Sequence, residues 1–229
     1  MSWRDFWNRE NSIYVNDRHR ALHDELVARD IAALIEGEGW NVLDYGCGEA
    51  SASALVAAKC GALYLYDTAP NVRQRLRTRF GSFAKIKVLE LGGLVEIEDG
   101  SLDLVVMNSV AQYLSRVELA ALLNAVRPKL KPRGAFVVAD VIPAGAKATD
   151  DVIALLRFAR EGGFLFAALG GLVKTAFSDY SKLRAELGLT RYGEADLTAL
   201  YSAHGYSAER ASKNIGHNQT RMMFVARRA

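Results

Sequence analysis

A chain of 229 residues that is 50% hydrophobic and 24% charged can bury one full core and is not disordered. Its net charge of +3 does not call for a nucleic-acid partner, and its two cysteines, Cys47 and Cys60, form neither a CxxC pair nor a disulfide framework, which fits a reducing cytoplasm. The apolar runs fall short of the roughly 20 residues that span a bilayer, and the opening MSWRDFWNRENS lacks the apolar centre of a signal peptide. Trp3, Phe6, Trp7, Ile13 and Tyr14 stand among charged residues and suit a segment docked on the edge of a sheet. Arg18 to Ile35 then places Leu22, Leu26, Ile31, Leu34 and Ile35 at nearly helical spacing, predicting an amphipathic helix that Gly37 and Gly39 end.

The stretch Trp40 to Ser51, WNVLDYGCGEAS, organises the rest. Val42 and Leu43 begin a buried strand, Asp44 follows, Gly46 and Gly48 make a tight turn, and Ala50 to Lys59 can form a helix. Such a turn sets bare backbone N–H groups and a positive helix end at the C-terminal edge of a sheet, where a ligand approaches closely. A dinucleotide site wants G-x-G-x-x-G, and Ser51 stands where the third glycine belongs. Asp44 would repel a pyrophosphate but suits a cationic ligand. Acid-x-Gly-x-Gly after an apolar strand resembles motif I of the class I S-adenosylmethionine (SAM) dependent methyltransferases, with Ala50 at the third small position. The resemblance implies that Asp44, Gly46, Cys47 and Gly48 lie at the amino-acid end of SAM. It also implies that the amino-terminal segment folds over SAM and substrate, which makes Tyr14, His19 and His23 candidates for a lid, Tyr14 and His19 with a catalytic role.

Ala62 to Asp67, ALYLYD, is a second strand closed by an acid one β-α-β unit after the first glycine. A carboxylate there can accept both ribose hydroxyls, with Thr68 beside it, and this holds for SAM and for a nicotinamide nucleotide alike. Asn71 to Phe80 predicts a helix whose Arg73, Arg75, Arg77 and Arg79 read as a solvated surface. Ile86 to Leu91 gives a third strand, after which no acid stands clearly placed for adenine. Leu102 to Met107, reached through the Asp99-Gly100-Ser101 turn, is a fourth. The loop after it resembles the family's motif IV and implies that Asn108 borders the cofactor and that Gln112 and Tyr113 face the transferred methyl group. It is not the Asn/Asp-Pro-Pro-Tyr motif of methylases acting on base amines. Glu118 to Arg127 predicts a helix, and Arg127 to Gly134 resembles the family's turn before strand 5, Ala135 to Val141.

Pro143 to Tyr192 departs from the minimal fold as a helical cap, with breaks at Gly162-Gly163 and glycines at 170 and 171. Leu155, Leu156, Phe158, Phe164, Leu165, Phe166, Leu169, Leu172 and Phe177 are more apolar side chains than one helix face needs. They suit an acceptor pocket, a homodimer interface or extra core. A helix over Gly193 to Gly205 and strands over Ser207 to Asn214 and Met222 to Arg227 close the chain.

The expected fold is α/β, a Rossmann-like seven-stranded, mostly parallel sheet with an antiparallel C-terminal hairpin and a helical insertion after strand 5. Residues 1–36 form a helical lid segment and 37–229 the SAM-binding domain, with the cap at 143–192. The expected activity is methyl transfer from SAM to a small, partly apolar, lipid-like molecule in the cytoplasm, with no metal and no nucleic acid. A non-catalytic SAM-binding protein and a nicotinamide oxidoreductase are the alternatives.

Overall fold

The computed structural model describes residues 2–9, 14–176 and 179–229. Ile13 and Phe177, named above among the apolar candidates, lie outside them. Strands β1 (Asn41–Tyr45), β2 (Ala62–Tyr66), β3 (Ile86–Val88), β4 (Leu102–Asn108), β5 (Leu130–Val141), β6 (Tyr206–Arg210) and β7 (Met222–Arg228) build one sheet in the order β3-β2-β1-β4-β5-β7-β6. The first five are parallel, and β7 runs antiparallel to both β5 and β6.

Both faces of the sheet are covered, so the central strands are apolar at nearly every position. Along β5, Phe136 and Val138 join Leu43, Val105 and Phe224 on one face, and Ala135, Val137 and Ala139 join Val42, Leu63 and Leu104 on the other. The first face is closed by α5 (Arg116–Val126) and α9 (Glu194–Ala203), through Leu119, Leu123, Leu197 and Tyr201. The second is closed by α2 (Asp17–Ala33), α3 (Ser53–Ala57) and α4 (Pro70–Phe80), through Ala28, Ile31, Val56, Val72 and Leu76. Local signals set several helix starts. Asn16 caps α2 by accepting from the His19 N–H, Pro70 opens α4, and Ser115 and Glu118 form a capping box on α5.

Several boundaries differ from those the sequence suggests, among them β6, which ends at Arg210 and not Asn214. The helix expected from Ala50 shrinks to α3 because Ala50 has φ 42°, which no helix residue can hold. Strand β3 stops at Val88, while β5 begins five residues before Ala135 and takes in the proline turn through a register irregularity against β4.

The insertion is pinched at its base. Pro143 and Tyr192 form a parallel bridge, the Ala144 N–H donates to the Tyr192 carbonyl at 2.9 Å, and the Tyr192 N–H donates to the Ile142 carbonyl at 2.9 Å. Between these ends lie α6 (Ala148–Gly162), α7 (Leu165–Ala176) and α8 (Asp179–Leu187), with Gly163 at φ 72° ending α6. Phe164, Ala159 and Ala168 are the buried centre of the cap, with Leu155, Leu156, Phe158 and Leu165 packed around them and against Val15 and Leu22. Phe166 instead is 89% exposed and lines no interior. Among the described residues, no helix is long and apolar enough to cross a membrane.

Candidate active site at the C-terminal edge of the sheet

Strand β1 delivers the chain to the sheet edge, where Gly46 (φ 75°) and Gly48 (φ 58°) turn it back. The Gly46 and Cys47 N–H groups both donate to the Tyr66 carbonyl, at 2.7 and 3.1 Å, which ties the turn to the end of β2. A Cβ on Gly46 would lie 2.4 Å from Val110 Cγ2, so the loop after β4 presses onto the turn where only glycine leaves room. Ala50, Ser109 and Asp140 are the non-glycine residues at positive φ among those described, and they follow β1, end β4 and lie near the end of β5. Each holds a conformation that costs roughly 1–3 kcal/mol, and such strain gathers at functional sites.

Asp67 is aimed by the backbone: Oδ2 accepts from the Gly48 N–H at 3.1 Å and Oδ1 from the Ala69 N–H at 2.8 Å. Each oxygen keeps a further lone pair for a ligand. Burial raises its pKa, although those two N–H groups and the Arg73 guanidinium pull the other way. Asp44 has no such support. Burial first, and then the charge on Asp67, push it up to about 7. Two carboxylates that oppose each other's ionisation make a place for a cation. Nearby, Asn108 Oδ1 and Gln112 Oε1 are buried with no hydrogen-bond partner, two acceptors facing no donor of the protein.

The amino-terminal helix α1 (Trp3–Trp7) crosses this edge. Trp3 and Trp7 meet Tyr113, after β4, with ring centroids 4.7 and 5.7 Å apart. At its far end, Asn8 takes Asn71, after β2, through two hydrogen bonds of 2.9 Å. Because β1 lies between β2 and β4, α1 bridges the loops on either side of the glycine turn.

Residues 43–138 match the family described as a methyltransferase domain. This stretch, from β1 into β5, is similar to a methyltransferase domain. Solved structures share its fold: the pyocyanin biosynthetic protein PhzM, at TM-score 0.64 and 15% identity over 100% of this chain and 62% of that one; a Haloferax volcanii methyltransferase in complex with the Trm112 methyltransferase activator, at 0.60 and 15% over 100% and 98%; and magnesium protoporphyrin IX methyltransferase (ChlM) from Synechocystis PCC 6803 with bound SAH, at 0.58 and 16% over 99% and 93%. Comparison with curated protein sequences gives no match.

The residues at this edge fit SAM. Its cationic centres suit the uncompensated Asp44, its ribose suits the two aimed oxygens of Asp67, and its amino group suits an unpaired amide oxygen. The similarity to a methyltransferase domain and the β6–β7 hairpin, which continues the sheet where a nicotinamide domain has none, count against the nicotinamide alternative.

Of the α4 arginines, Arg73 leaves the solvated surface the sequence suggests, while Arg75 and Arg77 are half-buried and Arg79 is exposed. Arg73 is buried and donates to the Asp67 carbonyl at 2.7 Å, Arg75 donates to Glu49 Oε1 at 2.7 Å, Arg79 bonds the Glu49 carbonyl, and Arg77 pairs with Glu90. They fasten α4 to the turn after β1 and to the chain after β3, contacts that no helical periodicity encodes.

The residues expected to be catalytic fall into two groups. Gln112 and Tyr113 lie beneath α1, and the end of the cap closes on them, with the Thr190 N–H donating to the Gln112 carbonyl at 2.9 Å. Tyr14 and His19 sit apart with α2. Tyr14 Oη donates to Asp24 Oδ1 at 3.5 Å, and Asp24 also accepts from Ser51 beyond the glycine turn. Burial and Asp24 raise the Tyr14 pKa well beyond its usual range, so the phenol stays protonated and acts as a donor. Sequence reading set His23 beside His19 but missed His217. His23 and His217 join His19, with ring centroids 6.3 and 6.4 Å from its own. Thr68 is half-buried next to Asp67, and the Cys47 thiol is pushed up by burial, so it is no nucleophile at neutral pH.

Proposed function

We propose that this methyltransferase acts on a small, partly apolar acceptor in the cytoplasm. Asp44, Gly46, Cys47, Gly48, Asp67, Thr68 and Asn108 hold SAM, and Gln112 and Tyr113 border the acceptor. The observation that carries the reading is the pair Asp44 and Asp67, one carboxylate without a counter-charge and the other with two oriented oxygens, beside the unpaired Asn108 Oδ1. Two free cysteines support a reducing compartment.

Bound SAM supplies an electrophilic methyl group on a sulfonium. The chain's own part is positional. The glycine turn and Asp67 fix one end of the site, α1 covers it with Trp3 and Trp7, and the apolar cap keeps water away. Holding the acceptor in line with the methyl carbon is then the main source of rate, which accounts for a site with no triad.

Calorimetric titration of SAM tests the first half. Asp67→Ala removes hydrogen bonds to a charged group worth about 1.5–3 kcal/mol each, so affinity falls tenfold or more; unchanged affinity would remove Asp67 from the site. Incubation with methyl-labelled SAM and a small-molecule extract tests the second. Label in an organic-soluble product is expected, and label recovered only as SAM would leave a binding protein without turnover.

A further inference from the structure

The cap turns an apolar side chain outward that the fold gives no interior to fill. Phe166, on the first turn of α7, is 89% exposed. Leu169 stands one turn further along the same side of the helix and is 48% exposed. Gly170 beside it has no atom within 4 Å of where a Cβ would stand, so this face of α7 is apolar, flat and open.

An open groove of about 800 Å³ runs between α2 and α6. Helix α6 lines it along its length, from Asp150 near its start to Gly162 at its end, four residues before Phe166. Leu22 and Leu26 of α2 and Ile153, Ala154 and Phe158 of α6 make an apolar floor, because residues three and four apart share a helix face. Ile153 is nonetheless 48% exposed. Charges of both signs border the floor: Glu25 and Arg29, which pair with each other along α2, and Asp150, Arg157 and Glu161 along α6. An apolar centre inside a charged rim is the anatomy of a protein–protein interface, and the anchors of such interfaces are most often aromatic.

We infer that a second copy of this chain covers the groove, with Phe166 of each copy seated in the α2–α6 groove of the other about a twofold axis. A surface pairs with its own copy only if it holds both halves of each contact. Here the groove and the anchor belong to consecutive helices of one chain. A rim of one sign would repel its own copy, whereas this one holds three acids and two arginines. That near balance also gives a nucleic acid or an anionic headgroup no field to follow. Helix α7 has one charged residue, Lys174, where a helix that lies on a membrane carries a strongly charged face. The assembly is independent of the reaction at the sheet edge.

Sedimentation velocity on the full chain tests this. At about 100 µM, well above the micromolar end of what interfaces of standard size reach, the protein should sediment at twice its 25.1 kDa. Phe166→Ser and Ile153→Arg change exposed positions on helix surfaces, so both variants should keep the wild-type far-UV spectrum. Each removes two anchor–groove contacts per dimer and raises the Kd about 100-fold or more, from uncovering two large apolar side chains. Mixed one to one, the variants join the intact groove of one to the intact Phe166 of the other, and the mixed dimer should be about tenfold tighter than either forms alone. A wild-type chain that stays at 25.1 kDa, a variant that dimerises as wild type does, or a mixture no tighter than its components overturns the inference. Growth beyond the dimer with concentration also overturns it, since a contact that does not close about a twofold builds filaments. So does a monomer that floats with phosphatidylcholine vesicles, a result that assigns Phe166 to a lipid surface.

Discussion

Asp44→Asn should make the ligand-free protein more stable at pH 8 while weakening its hold on SAM. Asp44 ionises at about 7 in the folded protein against an ordinary 3.8, because burial and then Asp67 oppose its charge. Between those values the folded state keeps a proton that the unfolded chain has released. The stability this proton gives is complete below about pH 4 and is lost as pH rises through 7. Three pH units at 1.36 kcal/mol each set an upper bound of about 4 kcal/mol on the loss. Asparagine keeps the shape without the charge and avoids it. At roughly 2–4 °C per kcal/mol for a chain of this size, the variant melts several degrees higher than wild type at pH 8 and close to it at pH 4. His19, His23 and His217 also titrate in this window, but they are common to both proteins and cancel in the difference. SAM should bind about 10- to 150-fold more weakly, from the loss of one charged hydrogen bond. Scanning calorimetry across the pH range and isothermal titration with SAM make the two measurements. A variant no more stable than wild type at pH 8, or one that binds SAM unchanged, would refute the reasoning.

The three histidines make a separate prediction of opposite sign. Their pKa values are depressed from 6.5 to about 4, so their contribution is present above pH 6.5 and is lost at up to about 1.4 kcal/mol per proton and pH unit as pH falls toward 4. Urea midpoints of His23→Phe and wild type at pH 7 and 5 check this, and an equal fall in both would count against it. Gly46→Ala forces a Cβ to 2.4 Å from Val110 at a φ of 75°, so it should destabilise the fold by roughly 1–3 kcal/mol or more, and adding Val110→Ala should recover the steric part but not the strain. Deleting residues 1–9 removes the Trp3 and Trp7 contacts with Tyr113 and the Asn8–Asn71 bonds, and should lower turnover and shorten SAM residence with an unchanged far-UV spectrum. Normal turnover in that deletion would show that α1 only packs against the sheet edge.

The sequence by itself determined the parts whose cause is local. An apolar run between turn residues makes a strand wherever it lies. Gly46 and Gly48 announce a backbone that other residues resist, and an acid after the next strand arrives at the same edge because one β-α-β unit always returns there. The glycine turn, the arrival of Asp44 and Asp67 at one sheet edge, and a mostly parallel sheet of seven strands with an antiparallel C-terminal pair were legible for that reason. What depends on residues far apart was not. Gly46 meets Val110 only because β1 and β4 are neighbours, and Arg73 is buried only because α4 returns over the end of β2. Ala50 shows its left-handed backbone, and the shortened α3, only in the folded chain. His217 lies nearly two hundred residues from His23 and reaches it because β7 runs back along β5, carrying the β6–β7 turn to the edge where α2 and the cap meet. Spacing along a chain cannot register a contact that exists only after the sheet has closed its order, and the histidine cluster is of that kind.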